Sequence, residues 1–265
     1  MFGRCFFVGM AISSVAAFGQ GNSDQPQYIS HAEITRAGTS VTIHASSPRP
    51  VEQALSGIRR EYGLILDYEE GPVRDSSNLA AAGNRQILKG ADIKVTMAGP
   101  KDSTPAEEAA FLQSALAELH AAGGSRQFTL LQGANNRLTV TPSDAPLRVL
   151  DTKILIDPRP RSIDATIEEI FRALNNESGI VIERGGLVDN ELSNTIVTVG
   201  STSTPIAARD LLSQALNGTL YAKFWILTWD PNTDRYAMNL QTAVKVDDTL
   251  IGVGRETPIL TKPSR

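Results

Sequence analysis

Cysteine is all but absent: of 265 residues only Cys5 carries a thiol. That excludes disulfide frameworks, thiolate metal sites and cysteine nucleophiles from everything downstream of it. Histidine is nearly as scarce. His31, His44 and His120 share no metal-ligand spacing and no His-Glu-x-x-His pattern, so they read as ordinary surface or strand residues and imply neither metal nor cofactor. The formal charge is only −4, which leaves no electrostatic footprint for nucleic acid or anionic lipid. Beyond Phe18 no apolar run approaches the ~20 residues of a membrane span, so no stable membrane insertion is expected.

What is present begins with a leader. Arg4 is the only charge before an apolar run from Cys5 to Phe18, and Ala17-Phe18-Gly19 sets small residues at −3 and −1 of a cleavage site before Gln20. The run is short for a span and is broken by Gly9, Ser13 and Ser14. Residues 1–19 are therefore expected to be a cleaved signal peptide. Cys5 opens the run rather than closing it, which argues against lipidation. The chain is expected to be exported to the periplasm, with release from the cell as the alternative.

The mature part repeats itself. Val51-Glu52-Gln53-Ala54-Leu55-Ser56-Gly57-Ile58 starts a pattern that closes at Gly63 and leads into Leu64-Ile65-Leu66-Asp67. Ile167-Glu168-Glu169-Ile170-Phe171-Arg172-Ala173-Leu174 does the same, closing at Gly179 before Ile180-Val181-Ile182-Glu183. Apolar positions at i, i+3, i+4 and i+7 make each an amphipathic helix. Gly63 and Gly179 suit the left-handed residue that ends one. In the same order, Ser103-Thr104-Pro105 and Ser203-Thr204-Pro205 precede segments carrying Phe111, Leu112, Ala115, Leu116 and Leu211, Leu212, Ala215, Leu216. Thr104 and Thr204 are the expected N-caps, each with proline at the first helical position. Each second helix gives way to a hairpin, Phe128–Leu131 with Arg137–Thr141, then Phe224–Trp229 with Arg235–Gln241.

Strands are also expected at 40–44, 93–97, 153–157 and 195–199. The fold class is thus α+β: two tandem two-layer α/β units, each β-α-β-β-α-β-β with both helices on one sheet face. The expected domains are a flexible segment at 20–38, a first unit at 39–144, a second at 148–246 and a tail at 247–265. Pro72 to Leu88, an insertion in the first copy, should be a surface loop. Separate domains and one sheet joined edge to edge are both open.

This arrangement resembles the secretin and TonB short N-terminal domain, present as two tandem copies. The first copy matches over Pro50–Leu66 and Thr104–Val140, the second over Thr166–Ile182 and Thr204–Leu240; Leu211-Leu212, Ala215-Leu216-Asn217-Gly218-Thr219-Leu220 is the closest stretch. The resemblance implies a periplasmic module that binds an envelope protein or neighbouring copies of itself. The outer-membrane barrel that often follows such modules has no place before Arg265, so a free-standing envelope protein is expected.

No catalytic constellation stands out. Asp230-Pro231-Asn232-Thr233-Asp234 spaces oxygens like half a calcium loop, but Arg235 and Gln241 stand where glycine and glutamate are needed, so a hairpin turn is the better reading. Gly252-Val253-Gly254 lacks the third glycine and the helix of a dinucleotide loop. Glu69-Glu70 and Glu168-Glu169 read as solvated surface. Leu220 to Trp229 is unusual. Alternation puts Leu220, Ala222, Phe224 and Ile226 on one face, under the helices, and Tyr221, Lys223, Trp225, Leu227 and Trp229 on the other. That second face is expected to meet water, and Tyr221, Trp225, Leu227 and Trp229 form the candidate partner-binding patch. Its occupant could be the first copy, another protein or second chain, or a glycan or small apolar ligand. The expected function is a non-catalytic protein-binding or assembly module. The alternative is a hydrolase or carbohydrate-processing enzyme whose acidic residues converge on folding.

Overall fold

The computed structural model describes residues 29–73, 75–100, 104–124, 126–133, 137–144, 146, 148–185, 190–247 and 255–261. Residues 1–19, expected to be a signal peptide, most of the segment before Glu33 and Gly252-Val253-Gly254 lie outside them. The fold is α+β. Its first half runs β1 (Glu33–Ala37), β2 (Ser40–Ser47), α1 (Pro50–Tyr62), β3 (Leu66–Glu69), β4 (Leu79–Ala82), β5 (Arg85–Leu88), β6 (Ala91–Ala98), α2 (Pro105–Ala121), β7 (Phe128–Gln132) and β8 (Leu138–Pro142). The second half runs β9 (Lys153–Ile154), β10 (Pro160–Ser162), α3 (Ile163–Ser178), β11 (Ile182–Gly185), α4 (Asn190–Asn194), β12 (Ile196–Thr198), β13 (Ile206–Ala207), α5 (Ala208–Leu216), β14 (Lys223–Asp230), β15 (Arg235–Thr242), β16 (Val244–Asp247) and β17 (Arg255–Pro258).

Local chemistry explains the helix ends. Gly63 (φ 69°) and Gly179 (φ 72°) close α1 and α3 in the left-handed conformation that glycine adopts without a Cβ clash. Thr104 caps α2, its hydroxyl accepting from Glu107 N at 3.3 Å. Thr204 does not cap α5. That helix starts at Ala208 because Ile206 and Ala207 pair with Ile154 and Lys153 as a two-residue strand, and a residue held in a ladder cannot take helical dihedrals.

Three expectations about order need correction. The segment expected to be flexible contains β1, which pairs along its whole length with β2. The expected loop at 72–88 contains a 3-10 turn at Ser76–Asn78 and the β4–β5 hairpin. The expected tail contributes β17, paired with β16.

The central element is a six-stranded sheet in the order β11-β15-β14-β3-β8-β7, which crosses the boundary between the halves. β14 and β3 meet in parallel, with Ile226 beside Tyr68 and Leu227 beside Glu69. α1 and α2 share a core with Leu66, Tyr68, Leu138, Val140, Phe224 and Ile226. α3 and α5 share the other core with Ile182, Trp225, Leu227, Trp229, Tyr236 and Met238. Because residues aligned across a ladder point to the same side, the two helix pairs lie on opposite faces of one sheet. Each pair also packs on further strands, β2 and β6 for the first and the short β9, β10, β12 and β13 for the second. The layers therefore exceed the two expected.

Candidate functional site

The alternation along β14 is as expected, but its coverage is reversed. Ala222, Phe224 and Ile226 lie under the helices of the first half, and Arg59 stacks 4.6 Å from the Phe224 ring. Trp225, Leu227 and Trp229, expected to face water, are buried under α3 and α5, with Trp225 at 0% exposure. The physical reason is the pairing with β3. That pairing carries the helices of the first half over one face of β14 while α3 and α5 cover the other, so neither face is left to water. Tyr221 precedes the strand and stays 38% exposed.

Glu69 and Glu70 are likewise buried rather than solvated, and with Asp67 they fasten the two halves together. Asp67 receives Arg137 Nη1 at 2.8 and 3.0 Å and the Trp225 N–H at 3.0 Å, while Arg137 Nη2 donates to the Lys223 carbonyl at 2.8 Å. Glu69 accepts from Thr141 Oγ1, Leu150 N and Arg209 Nη2, each at 3.0 Å. Glu70 Oε2 accepts from Arg49 Nε at 2.9 Å and Trp229 N at 3.0 Å. Burial pushes the Asp67 carboxyl above its ordinary range, opposed by Arg137 and the Trp225 N–H. Glu69 is raised for the same reason, opposed first by Arg209. A buried carboxylate supplied with this many donors is a structural clamp. Its oxygens already have partners, which leaves little capacity for a reacting group.

The turn at Asp230 follows from its own hydrogen bonds. Asp230 Oδ1 accepts from Asn232 N at 2.9 Å and Oδ2 from Thr233 Oγ1 at 3.0 Å, and these bonds hold the Asp230 carboxyl below its usual range. Among the described residues no three His, Cys, Asp or Glu side chains gather closely enough to hold a metal ion.

The surface instead offers an apolar knuckle where the chain enters β14. Tyr221 pairs with Leu260 in an antiparallel bridge, and Thr261 N bonds the Leu220 carbonyl at 3.0 Å. Leu220 and Leu260 are each 63% exposed. The Glu191 carboxylate accepts the Leu220 N–H and so fixes the backbone of the knuckle. Of the four patch residues expected to face water, only Tyr221 does; Leu260 was not singled out, because its pairing with Tyr221 joins segments far apart in the chain.

No protein-family profile, curated protein or solved structure matches the chain.

Proposed function

We propose that the chain is an exported cell-envelope protein that acts as a non-catalytic protein-binding or assembly module. It would be built from two tandem units resembling the secretin and TonB short N-terminal domain, each with its helix pair on one face of its own half-sheet. The observation that carries this reading is the knuckle: exposed apolar side chains scattered singly are ordinary, but Tyr221 and Leu260 are brought together by their bridge, and grouped apolar exposure marks a contact surface. The engagement of Asp67, Glu69 and Glu70 in the junction supports binding over acid–base catalysis.

The test is in-cell photocrosslinking of the full chain with a photoreactive residue at Tyr221 or Leu260, and at the exposed Glu177 as control. A defined adduct from both knuckle positions, absent from the control and lost from the Leu260 probe when Tyr221→Asp is added, is expected. No adduct beyond that of the control would overturn the reading.

A further inference from the structure

The junction between the halves shows how one three-stranded half-sheet joins the next within the molecule. Each half contributes three strands in the same order: the strand after the first helix, then the second and the first strand of the hairpin. These are β3-β8-β7 in the first half and β11-β15-β14 in the second. The registers superimpose. Leu66 pairs with Leu138 as Ile182 pairs with Tyr236, and Leu130 pairs with Val140 as Leu227 pairs with Met238. Within the molecule, the hairpin strand of one half (β14) lies parallel to the post-helix strand of the other (β3). The same two kinds of strand, β7 and β11, end the sheet, and among the described residues no strand covers either outer edge.

The direction of the free edges fits. Gly133 N and Ser143 N bond inward to Arg137 and Gln127 carbonyls, so by alternation Phe128, Leu130 and Gln132 aim their peptide groups outward. They match Trp225, Leu227 and Trp229, whose peptide groups engage β3 and its carboxylates. Tyr236 N takes the Val181 carbonyl, which turns Ile182 and Arg184 outward, as Leu66 and Tyr68 are turned toward β14. Strand polarity and helix side both invert between the halves, so a whole second copy placed beside the first restores the internal relationship without a clash of direction.

A side-chain receptor is repeated as well. At the junction, Asp67 takes an N–H of the incoming strand and Arg137 takes a carbonyl. At the free β11 edge, Glu183 and Arg235 form the matching ion pair, with side chains 58% and 51% exposed. Exposed charges on an edge often repel incoming strands. Here the same pair, one half earlier, receives one. Glu70 has no counterpart, since the aligned position is Gly186.

We propose that the partner of this chain is a second copy of itself, joined by parallel addition of β7 from one copy to β11 of the next. Thr129 then lies beside Arg184, and the Phe128 N–H meets the Glu183 carboxylate. The contact is heterologous and leaves a free β7 and a free β11 at the ends, so it propagates as an open chain twisted by the sheet. The assignment rests on the assembly side of the reading above and adds a second contact surface, the free sheet edges, to the knuckle.

The test uses the full chain with Cys5→Ser, which removes the only native thiol, and with Thr129→Cys and Arg184→Cys. These positions lie at opposite edges of the sheet, five strand spacings or about 24 Å apart, so no disulfide can form within one molecule. Mild oxidation should yield a ladder of dimer, trimer and higher species. Mixing the two single-cysteine proteins should give heterodimers without homodimers, and adding Glu183→Lys should abolish the ladder while the melting temperature holds. Monomer only, or homodimers from Thr129→Cys alone, would overturn the proposal. If knuckle adducts to another protein persist in that case, the protein-binding reading survives without this one; if both signals are missing, both readings fail.

Discussion

Asp67 and Glu183 stand at matching places after the first helix of each half, each paired with the arginine that opens the second hairpin strand. Their surroundings differ, and so should their energetics. The Asp67 and Arg137 side chains are 0% and 4% exposed and carry strand-to-strand bonds. Asp67→Ala leaves a buried guanidinium without its counter-charge, and a loss of about 3–5 kcal/mol is expected. Glu183→Ala removes a solvated pair and should cost less than about 1 kcal/mol in the dilute monomer. Urea unfolding of the two variants side by side measures the contrast. Equal losses would show that the Asp67 pair contributes no more than a surface one. A sequence signal for this pair existed, because Asp67/Arg137 and Glu183/Arg235 recur at the same places in the repeat. The burial of Glu69 and Glu70 had no such signal: Arg49 and Arg209, which neutralise them, come from distant segments. Adjacent acids with no visible partners read as surface.

Helix starts set the next scale. The Ser-Thr-Pro triplets look equivalent in sequence, but only the Thr104 hydroxyl accepts an N–H of a helix N-terminus. Thr104→Ala should lower stability by about 1 kcal/mol, whereas Thr204→Ala, on an exposed turn before β13, should change it little. Thermal melts of both variants decide whether α5 starts where Ala208 places it. The amphipathic repeat made α1 and α3 and their closing glycines legible, since helix period and left-handed caps are local properties. The start of α5 was not legible because β13 competes for Ile206 and Ala207 through a pairing with β9. For the same reason β14 could be read as an alternating strand while the cover of each face could not. The β1-β2-β6 sheet carries a pH dependence of its own. His44 sits between Asp92 at 2.7 Å and Glu33 at 3.3 Å, and hydrogen bonds to Asp92 and then Glu33 raise its pKa. A raised histidine contributes stability that is complete below its unfolded pKa and is lost as pH rises through the folded value. Melting temperatures of the wild type should therefore fall relative to His44→Gln between about pH 6 and 8, around the ordinary histidine pKa. Parallel profiles for the two proteins would remove His44 from the account.

At the scale of the whole molecule, β14 makes the two halves one folding unit. Ala222, Phe224 and Ile226 belong to the second half by sequence and to the first half's core by packing. At about 1.5–3 kcal/mol for each large apolar side chain, Phe224 and Ile226 alone supply a sizeable share of the 5–15 kcal/mol by which a domain is stable. A fragment ending at Asp144 lacks them, exposes the β3 edge and leaves Arg137 without the Lys223 carbonyl. The expected outcome is that residues 20–144 and 145–265, made separately, each lack a cooperative thermal transition, and that mixing them restores one. In the intact chain, Trp225→Ala, which opens a cavity in the second core at a cost of about 3–5 kcal/mol, should speed hydrogen exchange in α1 and α2 as much as in α3 and α5. Exchange confined to the second half, or a stable isolated first half, would mean that the two halves fold independently and that β14 docks only after both are complete.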